Sequence, residues 1–239
     1  MPRRLSFRSS SAPRAARWLV AAAAGLVATA GYLWLTTPDV RPLRSENPRA
    51  TAFMALRAGE ARAAGRTPRL RQSWAPLRRI SPLLQRAVLV SEDAAFWDHT
   101  GVDLFELRAA VTQGLRTGDV RGASTLTQQL AKNLYLSSSR SPARKFTELL
   151  VARRLEAELS KARILEIYLN VVEWGDGIWG AEAAAQAYFG VAAGELTAEQ
   201  AALLAGALIN PRVYNPGSPN TRLLRRQEII LRRMRPPDS

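Results

Sequence analysis

Cysteine is absent from this 239-residue sequence, which excludes disulfides, thiol nucleophiles, iron–sulfur clusters and cysteine-bound zinc. Histidine occurs once, at His99, so no site that needs two imidazoles, such as H-E-x-x-H, can be built. Lysine is nearly as scarce: of thirty-four basic residues only Lys132, Lys145 and Lys161 are lysines. None has serine three positions before it and no K-T-G occurs, which excludes a serine acyl-transfer domain of the penicillin-binding type. G-K-[ST] is missing too, and with it the Walker loop. Acidic residues number twenty, leaving a formal charge of +14 that is almost entirely arginine. Apolar residues make up 47%, enough for a sizeable core and too many for a disordered chain. The length suits one domain, or one domain and an anchor.

Residues 1–17 hold five arginines and no acid, and Trp18–Thr37 then runs twenty residues without a charge. As a helix that run spans roughly 30 Å, the thickness of a hydrocarbon core. Trp18, Tyr32 and Trp34 lie toward its ends, where aromatic rings favour the interface. Arginines before the span keep the N-terminus inside, so residues after it are expected outside the cytoplasm. Ala28-Thr29-Ala30 resembles a signal-peptide cleavage site, but Tyr32-Leu33-Trp34-Leu35 carries the apolar run past it, and an uncleaved anchor is expected. The expected organisation is a basic tail (1–17), an anchor (18–37), a linker and membrane-proximal segment (38–69) and an extracytoplasmic domain (70–239).

Within that outer part, 41–86 carries eleven arginines against Glu46 and Glu60. No nucleic-acid motif accompanies them, so anionic head groups or a phosphate-bearing lipid are the expected partners, and nucleic acid is not. Residues 50–64 read as a helix whose Phe53, Met54 and Leu56 either dip into the interface or complete the core. Helical periodicity follows at 103–115, 124–136, 142–159, 161–172, 179–188, 198–209 and 221–234, with strand-like alternation only at 71–77. Thr125 with Gln128 fits a capping box, Pro142 suits a first turn, and Gly190 and Gly194 suit helix ends. The outer domain is therefore expected to be all-α.

Several segments carry possible chemistry. In VLVSEDAAFWDHTG, an apolar run delivers Glu92 and Asp93 to a loop with Phe96 and His99, an arrangement that suits proton abstraction but also a solvated helix end. In RGASTLTQQLAKN, Ser124 and Thr125 open a helix on which Gln128 and Lys132 share one face and Gln129 and Asn133 another. Leu126, Leu130 and Leu134 on the same helix argue for enclosure rather than a plain surface. In RSPARKFTE, Arg140, Arg144 and Lys145 precede Glu148, and Arg144–Glu148 has the spacing of an ordinary helix ion pair. Gly175-Asp176-Gly177-Ile178-Trp179-Gly180 matches G-x-G-x-x-G, but no βαβ unit surrounds it, so it reads as a glycine turn between helices.

Taken in order, EDAAFWDHTG, GASTLTQQLAKN, RKFTE, KARILEIYLN and GAEAAAQAYFG resemble glycosyltransferase family 51, the peptidoglycan glycosyltransferases, over about residues 70–215. The resemblance implies a lysozyme-like α fold with a small membrane-proximal jaw, and a reaction that joins lipid-linked disaccharide-peptide (lipid II) into glycan strands. One anchor and no transpeptidase imply a monofunctional member. Carried over by motif, Glu92 is the general base and Glu148 lies on the donor side. Lys132, Arg140, Arg144 and Lys145 are expected near the donor diphosphate. Gln128, Gln129 and Asn133 line the cleft, Ser124 and Thr125 its wall, while Asp93, Phe96, His99 and Gly101 shape the Glu92 loop. Thr147 departs from members that place lysine just before this glutamate. No cofactor is obligatory, and the place for a divalent cation, Mg or Mn, is the donor diphosphate; no protein metal site is expected. Expected partners are lipid II, the growing lipid-linked glycan, membrane lipids, and other cell-wall synthesis proteins. Two other readings stand beside this one: a lytic enzyme acting on finished glycan, and a non-catalytic scaffold.

Overall fold

The computed structural model describes residues 14–103, 124–136 and 141–235; the helix expected over 103–115 and Arg140 lie outside them. The chain divides into two units, Met1–Thr37 and Pro38–Ser239. The first holds helix α1 (Arg14–Thr36), which leaves Trp18, Leu19, Val20, Leu26, Val27 and Leu35 exposed. Among the described residues no helix is long and apolar enough to cross a membrane.

The second unit is mostly helical. Helix α2 (Ala52–Ala63) starts at Thr51, whose hydroxyl accepts the Met54 N–H. Helix α3 (Pro82–Glu92) has Ser81 as its cap and proline at the first turn. Helix α4 (Leu126–Tyr135) is capped by Thr125, α5 (Pro142–Glu158) by Ser141 ahead of its proline, and α6 (Lys161–Val171) by Ser160. Each such cap satisfies an otherwise orphaned helix N–H and stabilises by about 1 kcal/mol. Helices α7 (Ala181–Phe189), α8 (Ala198–Ala207) and α9 (Thr221–Met234) complete the set. Gly190, left-handed at φ +69°, ends α7 as its residue type allows, whereas Gly194 sits inside a short 3-10 turn, Ala193–Glu195.

Helix α4 lies at the centre, packed against α2, α5 and α6, while α3 and α9 pack on α8. Leu126, Leu130, Ala131 and Leu134 of α4 are buried together with Leu84, Val88, Leu155, Ile164 and Tyr168. Residues 38–69 add Val40, Leu43 and Met54 to this core, and Phe53 packs on it with its ring 6.0 Å from that of Trp179. Of the two readings of that patch, core completion is the one observed for Phe53 and Met54.

The all-α expectation meets one exception, a small sheet in the order β1-β3-β2. Strand β1 (Arg71–Gln72) runs parallel to β3 (Ile178–Trp179), and β2 (Glu173–Gly175) antiparallel to it. The glycine-rich turn between two helices is thus a hairpin. Its Gly177 has φ +74°, and a Cβ there would lie 2.6 Å from that of Arg69, so glycine is required for both backbone angle and space.

Candidate active site

Glu92 is the last residue of α3 and is half-buried. Its Oε2 accepts from Gln129 Nε2 at 3.0 Å and its Oε1 from Ser91 Oγ at 3.2 Å. Among the described residues no lysine or arginine pairs with it. The loop that follows is pinned to the start of α4. Asp93 Oδ2 accepts the Leu126 N–H at 2.8 Å, one of the free amides at a helix N-terminus, where a carboxylate is favoured. His99 Nδ1 accepts the Gly101 N–H at 3.1 Å, so its Nε2 carries the proton it donates to Asp93 at 2.9 Å. The Gly101 carbonyl, in turn, accepts from Thr125 Oγ1 at 2.9 Å and Gln128 Nε2 at 3.1 Å. Glu92 is thereby held in a fixed register against α4 by bonds its own carboxylate does not make.

The two glutamines of α4 serve opposite sides. Gln129 links Glu92 to the Tyr168 hydroxyl, which donates to Gln129 Oε1 at 3.0 Å. Gln128 accepts from Lys145 Nζ at 3.0 Å through Oε1 while its Nε2 holds the Gly101 carbonyl. The expected capping box is therefore half formed: Thr125 Oγ1 accepts the Gln128 N–H at 3.3 Å, but the Gln128 side chain is taken by the site.

Glu148, 3% exposed, is clamped between Arg144 Nη1 at 2.8 Å and Lys145 Nζ. Lys145 also donates to Ser124 Oγ at 3.0 Å, so all three of its protons have acceptors: Glu148, Gln128 and Ser124. Arg144 Nε, by contrast, is buried with no hydrogen-bond partner among the described residues. Lys132 makes no hydrogen bond or ion pair among the described residues and lies 5.9 Å from the centre of the Phe53 ring, which Arg57 also approaches at 4.6 Å. Partial burial lowers the pKa of the Lys132 ammonium; the Glu148 carboxylate opposes that shift, and Arg144, Lys145 and Arg57 add to it. The residue keeps contact with solvent, so water damps these effects. A buried ion pair gains little stability over apolar packing, which leaves the placing of cations as the physical use of this cluster.

The structure thus brings together Glu92, Asp93, His99, Gly101, Ser124, Thr125, Gln128, Gln129, Arg144, Lys145 and Glu148, with Lys132 within electrostatic reach of Glu148. Arg140 lies outside the described residues. Phe96 is fully buried and packs in the core beneath the loop. Asp93 is nearly as enclosed, with its carboxylate taken up by His99 and the Leu126 amide. Asn133 turns its Nδ2 back to the Gln129 carbonyl at 3.0 Å. No group of three or more His, Asp or Glu that could hold a metal ion occurs among the described residues.

Three residues carry contacts for which the sequence gives no individual role. Tyr168 and Asn170 lie in the motif KARILEIYLN, where a polar residue inside an apolar run is itself a signal. Asn170 is fully buried and bonds Ala75 through both its N–H and carbonyl at 2.8 Å. The third, Arg57, pairs at 2.9 Å with Glu173, whose pKa burial raises while Arg57 opposes the shift. Arg57 also lines a cavity of about 660 Å³ with Met54, Arg66, Arg69, Asp176 and Trp179; neither Glu92 nor Glu148 lines it.

The transglycosylase family model matches residues 60–235. A biosynthetic peptidoglycan transglycosylase of Laribacter hongkongensis is 46% identical over 223 residues, 91% of this chain and 96% of that protein. Proteins of the same description from a Janthinobacterium species and from Thiobacillus denitrificans are similar as well. The first is 48% identical over 191 residues (80% of this chain, 83% of that protein), the second 43% over 221 (91% and 94%).

Proposed function

Because this chain belongs to the transglycosylase family, we propose that it is a peptidoglycan glycosyltransferase that polymerises lipid II into β-1,4 glycan strands. Glu92 takes the proton from the acceptor sugar's 4-hydroxyl as that oxygen bonds to the donor's anomeric carbon. The bond from that carbon to the diphosphate oxygen breaks, the electron pair leaves with polyprenyl diphosphate, and the configuration inverts. Inverting hydrolases need a second carboxylic acid to protonate an alkoxide leaving group. Diphosphate leaves as a stable anion, so fixed positive charge replaces that acid. Lys132, exposed and without an ion pair among the described residues, supplies charge for it, while Arg144 and Lys145 hold Glu148, and Lys145 also ties α4 to α5. A divalent cation carried in on the diphosphate would add charge there; no step above runs through it.

The observation that carries this reading is the division of the two carboxylates. Among the described residues Glu92 is met by neutral donors alone, whereas Glu148 is held by two cations. A lytic enzyme acting on neutral glycan has no use for the cation cluster. Incubation with lipid-linked precursor and, separately, with purified sacculi decides between them. Polymer from the precursor with intact sacculi is expected; solubilised sacculi without polymer would overturn the assignment.

Substrate that stays in the bilayer calls for an enzyme at its surface, in a jaw-and-lobe lysozyme-like domain of the cell envelope. Residues 18–37 carry no charge, α1 covers Arg14–Thr36, and its apolar side chains are bare on the chain's own account. The side chains of Leu33, Trp34 and Thr36 lie outside the described residues. These features support a single-pass anchor with the N-terminus inside and Pro38–Ser239 outside.

A further inference from the structure

The Tyr168 hydroxyl is 0% exposed and buried in the core of α6, yet it reaches Gln129, the one side chain of α4 that touches Glu92. An amide has a donor end and an acceptor end, and which end faces a neighbour is set by its other bonds. Here the neighbour on one side is a phenol. Burial and the nearby carboxylates of Glu92 and Asp93 raise the Tyr168 pKa well above the ordinary value, so the phenol keeps a proton to donate. It donates to Gln129 Oε1 at 3.0 Å, while Nε2 donates to Glu92 Oε2, an acceptor only, at 3.0 Å, so the amide is held at both ends.

We infer that Tyr168 is a positioning residue for polymerisation. Through Gln129 it fixes the direction of the hydrogen bond to Glu92, which holds Oε2 and leaves Oε1 as the oxygen turned to the acceptor hydroxyl. Without the phenol, Gln129 Oε1 loses the donor that holds it among the described residues. The amide is then held at one end only, by Glu92, and can swing with the carboxylate it was positioning. Oε1 accepts only from Ser91 Oγ at 3.2 Å, a hydroxyl that can rotate aside when a substrate hydroxyl arrives.

This inference rests on the assignment of Glu92 as base, and the test separates the two. Tyr168→Phe keeps ring volume and removes one oxygen. Its kcat for lipid-linked precursor is expected to fall on the order of 10-fold, the scale of a misplaced catalytic group, with KM within about 2-fold of wild type. Gln129→Met is expected to lower kcat to the same degree, and the double variant no further, because the two act as one unit. A purely packing role for Tyr168 would instead lower the folded fraction and combine multiplicatively with Gln129→Met. Unchanged kcat in Tyr168→Phe, or multiplicative losses in the double variant, overturns the inference while leaving Glu92 in place. Near-normal turnover by Glu92→Gln overturns the base assignment itself.

Discussion

Glu92 and Glu148 flank the same helix, one tied to it through Gln129 and the other through Lys145 and Gln128, yet their surroundings differ in kind. Glu92 ends a helix, keeps solvent on one side and meets only a neutral amide and a hydroxyl. Glu148 is buried and held by a guanidinium and an ammonium. A carboxylate locked between two cations has its lone pairs taken and its charge cancelled, which suits it to hold cations in place. One that meets neutral donors and has an open side can accept a proton. Two identical side chains thus acquire different work from their neighbours alone.

The sharpest way to break this comparison is to neutralise each carboxylate without changing its shape. Glu92→Gln is expected to slow polymerisation by ~10²–10⁴-fold, as loss of a positioned base does, and to leave stability within about 0.5 kcal/mol, since no buried charge loses its partner. Glu148→Gln is expected to slow it less, by about 10–10²-fold through misplaced cations, while destabilising by about 1–3 kcal/mol. Steady-state assays paired with denaturant unfolding measure both. Equal losses of rate and stability in the two variants would erase the distinction.

Asp93 tests whether the Glu92 side depends on its anchoring loop. Asp93→Asn presents an amide to two donors, the Leu126 N–H and His99 Nε2, and is expected to cost about 1–3 kcal/mol on unfolding. Unchanged stability would show that the loop is held by other contacts. The smallest expected effect is on pH dependence at the cation side. Because burial lowers the Lys132 pKa, its charge is lost as pH rises sooner than that of an ordinary lysine. Lys132→Arg keeps its charge throughout, so the alkaline fall in kcat/KM is expected to move to higher pH. Superimposable alkaline limbs would remove Lys132 from the diphosphate end.

Much of the helical frame was legible because its signals are local. Thr125, Ser141 with Pro142, and Gly190 stand where a cap or a left-handed residue is needed, and each performs that task. The grouping of Gln128, Gln129, Lys145 and Glu148 followed from their motifs. What could not be read were pairings between distant segments. Strand β1 finds β3 across more than a hundred residues, and Arg57 finds Glu173 with a separation of 116. The alternation at 71–77 marked the place of β1 (Arg71–Gln72) but not its partner, and Phe53 and Met54 look alike whether a membrane or a core covers them. The Gln128 side chain shows the same limit in miniature: its spacing from Thr125 suggested a box, but a lysine 17 residues away claimed the amide.

The central claim is that Glu92 acts on the proton and not on the binding of substrate. It is tested most directly by measuring, in one detergent preparation, the affinity of Glu92→Gln for lipid-linked precursor together with its rate of strand formation. Affinity within about 3-fold of wild type, with strand formation down by ~10²-fold or more, is the predicted result. Strand formation near the wild-type rate, or a loss explained wholly by weakened binding, would contradict it.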